Sequence, residues 1–278
     1  MILVTGRGTS GSWQIRGVQM GAAIGAHVEP GALSVSGYRA VVIVKRPTTD
    51  LLTRLRRAGV PVVYDVVDAW PQPAGNDWGA EEAQSWLSGH IKALRPDAIV
   101  AATQAMARDC ERFGVPVLCL PHHSRPGLAR NPVRDIVHAV GYEGGVQYLG
   151  RWRPVLEREC AARGWKFIVN PPVLADVDIV VALRESGGTP AKRWKSNVKL
   201  ANAQGSGTPF IGRRESGYTE TACGGERWAD CESELIDALD YLTPHATRQV
   251  AAQRLHAADP TLESIAIEYS AWLSKLNF

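Results

Sequence analysis

Residues Lys192–Gly212 read K-R-W-K-S-N-V-K-L-A-N-A-Q-G-S-G-T-P-F-I-G. The spacing predicts a basic turn, a helix, a small-residue turn and a buried strand. Lys195, Ser196, Asn197 and Lys199 fall at the helix start, where backbone N–H groups lack partners and the dipole is positive. Lysine in a first turn opposes that dipole. A cluster of cations and hydroxyls there is the sequence pattern of an anion pocket rather than of a stabilised helix end.

Working outward, short apolar runs alternate with helical stretches. Met1–Thr5, Ala40–Val44, Val60–Tyr64, Ala98–Ala101 and Val117–Leu120 are rich in β-formers and lack polar alternation, as strands buried on both faces do. Thr49–Ala58, Ala80–Leu94 and Ala105–Phe113 carry helical spacing, the first with Thr49 and Asp50 as candidate caps. This βαβαβ order predicts a doubly wound parallel domain over residues 1–133. His122–Pro132, H-H-S-R-P-G-L-A-R-N-P, has no periodicity and reads as a linker. Alternation then restarts through strands near 137–141, 165–169, 177–183 and 209–212. Helices are expected over 147–163, 198–204, 231–242, 246–257 and 262–276. Residues 134–278 thus form a second α/β domain with terminal helices. Ligands of such sheets bind outside the carboxyl ends of the strands.

Composition narrows the classes. With 278 residues, 45% hydrophobic, the chain supports one large or two ordinary domains. No apolar run reaches the roughly 18 residues of a membrane span, and M-I-L-V-T-G lacks the basic start of a signal peptide. Five scattered cysteines without C-x-x-C spacing fit free thiols in a reducing cytoplasm. The net charge is +3, and Arg7, Arg16, Lys45, Arg46, Arg54, Arg56 and Arg57 lie in the first half. That permits a polyanionic partner without requiring one.

Several further motifs carry candidate chemistry. The loop Gly6–Gly17, G-R-G-T-S-G-S-W-Q-I-R-G, joins a strand to a helix, but Lys45–Arg46 stand where a dinucleotide site needs an acid. Ser10, Gly11, Ser12 and Arg16 are the candidate acceptor-binding residues. Gly144 and Gly145, in G-Y-E-G-G-V-Q-Y-L-G-R-W, leave backbone N–H groups to meet a diphosphate. Arg184 closes the run Asp178–Leu183 at the cleft end and offers a bidentate phosphate contact. Asp65 and Asp68 follow the strand before Trp70; either serves as general base, orients an acceptor hydroxyl, or makes a turn. His122 opens the linker; no acid or thiol cluster completes a metal set, so no metal is expected. Trp70, Trp78 and Trp86 are core residues or stacking surfaces for sugars and unpaired bases.

The run Ser196–Ala203 followed by Gly205-Ser-Gly-Thr-Pro-Phe-Ile211 resembles the donor-site helix of GT-B glycosyltransferases, which ends in G-x-P and two hydrophobic residues. Ile99–Arg125 looks like the last βαβ unit of their first domain. The resemblance covers most of the chain. It implies two Rossmann-like domains facing a cleft, a nucleoside diphosphate sugar on the second, an acceptor on the first, and no cofactor or catalytic metal beyond the donor. UDP-sugar is the expected donor. Carried over, Lys199 and Arg184 neutralise the diphosphate, and Gly144–Gly145 meet it through backbone. Asn202 stands where retaining members place a glutamate on the ribose, and Trp194 replaces the first glutamate of their E-x7-E pair; Glu220 is the substitute carboxylate. A short chain with a basic first domain resembles phage DNA glycosyltransferases, which act on 5-hydroxymethylpyrimidine in double-stranded DNA inside the host cytoplasm. Glycans, small molecules, a ligand sensor and a non-catalytic DNA-binding role stay open as alternatives.

Overall fold

The structure, a computed structural model, describes residues 1–71, 77–185 and 188–276. Two wholly parallel sheets organise it. The first contains β1 (Ile2–Gly6), β2 (His27–Val28), β3 (Ala40–Val44), β4 (Val62–Val67), β5 (Ala98–Ala101) and β6 (Val117–Cys119), in the order β2-β1-β3-β4-β5-β6. Every residue of β3, β4 and β5 is buried. That is why these strands read as unbroken apolar runs: helices cover both faces.

A π-helical turn, Trp13–Gln19, continues into Met20–Ala23 as α1. α2 (Thr49–Ala58), α3 (Ala80–Leu94) and α4 (Gln104–Glu111) follow. Thr48, one residue before the expected caps, accepts from Leu51 N–H at 3.2 Å, and Thr103 caps α4 through Met106 N–H.

The second sheet is β11-β10-β9-β7-β8, built from β7 (Ala139–Tyr142), β8 (Lys166–Val169), β9 (Ile179–Ala182), β10 (Phe210–Gly212) and β11 (Glu226–Trp228). Its helices are α5 (Trp152–Ala162), α6 (Gly188–Trp194), α7 (Val198–Ser206), α8 (Ser216–Thr219), α9 (Glu232–Leu242) and α10 (His245–Ala257). The short edge strands β2 and β11 and the helices α1, α6 and α8 carry too few periodic residues to stand out in the sequence.

The last helix, α11 (Leu262–Lys275), counted by sequence with the second domain, packs on the first. Its Ile265, Ala266, Tyr269 and Leu273 share a core with Val4, Trp13, Met20 and Val100. Arg39 holds it there by donating to Leu273 O and Leu276 O, each at 3.0 Å. Arg248 on α10 is fully buried and donates to the carbonyls of Leu242, Thr243, Arg134 and Asp135, locking the helical tail to the end of the linker.

The domains are also joined across the cleft. Glu220 accepts from Gln104 N–H at 2.6 Å and Ala105 N–H at 2.9 Å, capping α4 from the opposite domain. Asn197 accepts from His122 N–H at 2.7 Å and donates to His122 O at 3.1 Å.

Candidate functional site

The carboxyl ends of both sheets meet at one place. From the first domain come Ser12 after β1, Lys45 after β3, Asp68 after β4 and His122 after β6. From the second come Gly144 after β7, Arg184 after β9, Glu215 after β10, and Lys195 and Lys199 at the approach to α7.

Asp68 is the pivot. Lys45 Nζ lies 2.6 Å from Oδ1 and Lys195 Nζ 2.5 Å from Oδ2. Lys45 also donates to Ser12 Oγ at 3.3 Å, so a chain of polar contacts crosses from the first domain to the second. Backbone strain aims this chain. Val67 and Lys45 both have positive φ, 53° and 67°. For a β-branched residue such as Val67 this conformation costs of order 1–3 kcal/mol. The β4 register slips between Asp65 and Val67, which turns Asp68 out of the sheet and toward the cleft. Burial opposes ionisation of Asp68, but Lys195 and Lys45 outweigh it and hold the carboxyl well below its ordinary range. It therefore acts as a charged acceptor that orients rather than as a strong base.

Asp65 and Arg16 are placed differently from expectation. Both are buried, with Arg16 Nε 3.5 Å from Asp65 Oδ2, and Arg16 also donates to Leu120 O. Burial raises the Asp65 pKa, which Arg16 partly offsets. The pair braces β4 against the π-helical turn Trp13–Gln19; neither residue is displayed to an acceptor. Ser10 accepts from Trp13 N–H at 3.2 Å and starts α1, while Gly11 lines a 370 Å³ cavity with Gln14, Arg125 and Asn202.

His122 is 2% exposed and its Nδ1 has no hydrogen-bond partner. Burial, helped by the Arg16 cation, keeps its imidazole neutral. It is fixed by the Asn197 clasp, so Asn197 holds the linker rather than a ligand. Ser196 is buried beside it. α8 seals this corner: a Cβ on Gly217 would come within 2.1 Å of Lys195 O.

The second domain gathers cations. Lys199 Nζ stands 4.3 Å from the Tyr142 ring centre and would be 3.4 Å from a Cβ on Gly144, whose φ of +134° requires glycine. Burial, reinforced by Arg184 and Lys195, pulls the Lys199 pKa down to about 7. Arg184 Nε reaches Glu215 Oε1 at 3.3 Å and stacks over Tyr148. Glu215 was not foreseen, though it stands just beyond a strand end, the same signal that marked Arg184. Burial raises its pKa, while Arg184, Lys199 and Lys195 act against that.

Two expectations are corrected. Gly144 N–H is not held for a phosphate; it donates to Asn170 Oδ1 at 2.7 Å. Glu220 is committed to α4 and is removed from the donor site. The tryptophans interlock, as core residues do: Trp86 lies 6.4 Å from Trp194 and 6.0 Å from Trp78, and Trp70 lies 6.4 Å from Trp194; Trp70 is buried and Trp78 and Trp86 are half-buried. Asn202 gains an unforeseen neighbour, donating to Glu143 Oε2 at 3.1 Å while accepting from Arg125 N–H. Among the described residues no cluster of three or more His, Cys, Asp or Glu could hold a metal ion, and no helix is long and apolar enough to cross a membrane.

No protein-family model and no curated protein sequence matches the chain. Solved structures do. HepE from Anabaena, in complex with UDP and glucose, aligns with a TM-score of 0.68 at 13% identity over 99% of both chains. The lipopolysaccharide outer core galactosyltransferase WaaB gives 0.58 at 10% identity, and a glycosyltransferase of Rickettsia africae 0.58 at 8%, each again over 99% of both chains. The likeness establishes the fold: two Rossmann-like domains with a helical C-terminal part, in the GT-B arrangement.

Proposed function

We propose that this chain is a glycosyltransferase that moves a hexose from a UDP-sugar to an acceptor hydroxyl. The observation that carries this is an excess of buried and half-buried cationic groups at the cleft. Among the described residues, Lys45, Lys195, Lys199 and Arg184 gather around the carboxylates of Asp68 and Glu215, so cationic groups outnumber acidic ones, and a doubly negative diphosphate diester would complete the set and draw Lys199 into its ammonium form. The Glu143 carboxylate nearby is already neutralised by Arg125. Uncompensated buried charge is costly, so such a pocket is built for an anion.

Lys199, Arg184 and Lys195 bind the diphosphate and stabilise the charge that grows on it as the glycosidic bond breaks. A preorganised donor of this kind contributes about 3–4 kcal/mol to the barrier. These side-chain cations do the work without a metal or any cofactor besides the donor. Glu143, held by Asn202, supplies the carboxylate for the ribose in place of the family's glutamate. Asp68 and the neutral His122 orient the acceptor hydroxyl. The five free thiols support a reducing, cytoplasmic setting. A fold neighbour in complex with UDP and glucose, and another that is a galactosyltransferase, add support.

For the acceptor, the geometry favours a glycan or small hydroxyl compound. Arg46, Arg54 and Arg56 hydrogen-bond backbone carbonyls, which holds their guanidinium groups against the protein rather than extended toward a partner. Hydroxymethylated DNA is therefore the second acceptor class to assay. The test is turnover of radiolabelled UDP-hexoses in EDTA, with glycan, small-molecule and hydroxymethylated-DNA acceptors, for wild type and Asp68→Asn. Metal-independent release of UDP that Asp68→Asn lacks is the expected result. No release and no UDP-sugar binding would refute the reading.

A further inference from the structure

Glu215 has one carboxylate oxygen accounted for and one not. Oε1 meets Arg184 at 3.3 Å, whereas Oε2 has no hydrogen-bond partner among the described residues although the residue is only 4% exposed. A buried acceptor left unpaired costs about 1–3 kcal/mol, so it calls for a donor that the protein does not supply. Glu215 also lines a cavity of about 780 Å³, with Arg151, Lys192, Arg213 and Asp230 from the second domain and Asp77 from the first. The volume is that of a small-ligand site, commonly roughly 300–1,000 Å³.

Glu215 touches both the cation cluster, through Oε1, and the wall of this cavity. One end belongs to the cation cluster that takes the diphosphate. A phosphate cannot satisfy the other end, because it brings no donor and its charge is repelled. A sugar hydroxyl can. The cavity wall of interspersed carboxylates and guanidinium groups offers both acceptors and donors, which a polyhydroxylated ring needs. Three residues before Glu215, Gly212 ends β10; the backbone of Glu215 then starts α8, accepting from Tyr218 N–H at 2.9 Å. The carboxylate is thus held by a strand end, a helix start and Arg184.

We propose that Glu215 reads the transferred sugar: Oε2 accepts a hydrogen bond from a hydroxyl of a hexose seated in this cavity and sets which sugar the enzyme accepts. This rests on the donor reading above.

Calorimetric titration of wild type, Glu215→Gln and Glu215→Asp with UDP, UDP-glucose, UDP-galactose and UDP-N-acetylglucosamine tests it. Wild type should bind one UDP-sugar about tenfold or more tighter than UDP, the range of a hydrogen bond to a charged group. Glu215→Gln should bind UDP at least as tightly as wild type, since a negative charge beside the diphosphate is gone, yet show no preference for the sugar nucleotide. Glu215→Asp keeps the charge but withdraws the oxygen by one methylene, and should lose the preference too. A merely structural Glu215 would weaken UDP and UDP-sugar alike, which overturns the proposal. So does a sugar preference that survives in both variants, or a wild type that binds UDP but none of the sugars better. If wild type binds no uridine nucleotide, the donor reading beneath it falls as well.

Discussion

Replacing Lys199 with methionine tests the core of the donor site. The substitution keeps the apolar stem of the side chain against Tyr142 and Gly144, one atom shorter, and removes the charge. Two consequences follow with opposite signs. Affinity for a UDP-sugar should fall about 10- to 100-fold at pH 6, the worth of one charge-assisted hydrogen bond of about 1.5–3 kcal/mol. The ligand-free protein should melt higher, because an ammonium that burial, Arg184 and Lys195 all disfavour has been removed.

The pH dependence sharpens this test. Lys199 titrates at about 7 in the free protein, so about nine-tenths of it is neutral at pH 8. A diphosphate diester binds the ammonium form and does not itself titrate in this range. Wild-type affinity should therefore drop about tenfold from pH 6 to pH 8, and the Lys199→Met profile should be flat. For folding the sign is reversed. The folded pKa lies below the unfolded value of 10.5, so the unfolded chain holds more protons between pH 7 and 10.5. The penalty from this group shrinks as pH rises through that window. Calorimetry with a UDP-sugar at pH 6, 7 and 8 and melting curves of the free proteins give both readouts. A flat wild-type profile, or a Lys199→Met variant that binds as tightly as wild type, would refute the assignment of Lys199 to the diphosphate.

Other residues give independent checks. Glu220→Gln removes the charge that caps α4 across the cleft and should cost about 0.5–2 kcal/mol; the Gln104 and Ala105 amides should exchange hydrogen faster, and unchanged exchange would contradict the cap. Arg248→Met strands four carbonyls at the linker and helical tail. A loss of at least about 3 kcal/mol, or roughly 6–12 °C in melting temperature, is expected, whereas UDP affinity should hold.

Much of the fold was legible because parallel strands covered on both faces cannot alternate. The unbroken apolar runs of β3, β4 and β5 announced themselves, and the G-T-P turn after α7 marked where the chain re-enters the second sheet. The carboxyl-end rule found Arg184 and Asp68. Applied one strand later it would have found Glu215, and applied to β3 it would have given Lys45 a role at the site instead of only an argument against a dinucleotide.

Other features had no local signal. Glu220 and Asn197 look like ligand residues in sequence, yet both hold one domain to the other. Arg16 looks like an exposed loop cation but is buried against Asp65. α11 follows the second domain in the chain and completes the core of the first. By itself, the sequence determined which segments are strands and helices and which strand ends carry charge, since periodicity and turn chemistry are local. Tertiary structure decided which charges cancel. Lys195 meets Asp68 across 127 positions of chain, and Arg184 meets Glu215 across two strand ends. Only those long-range pairings reveal that, among the described residues, cationic groups outnumber carboxylates at the cleft.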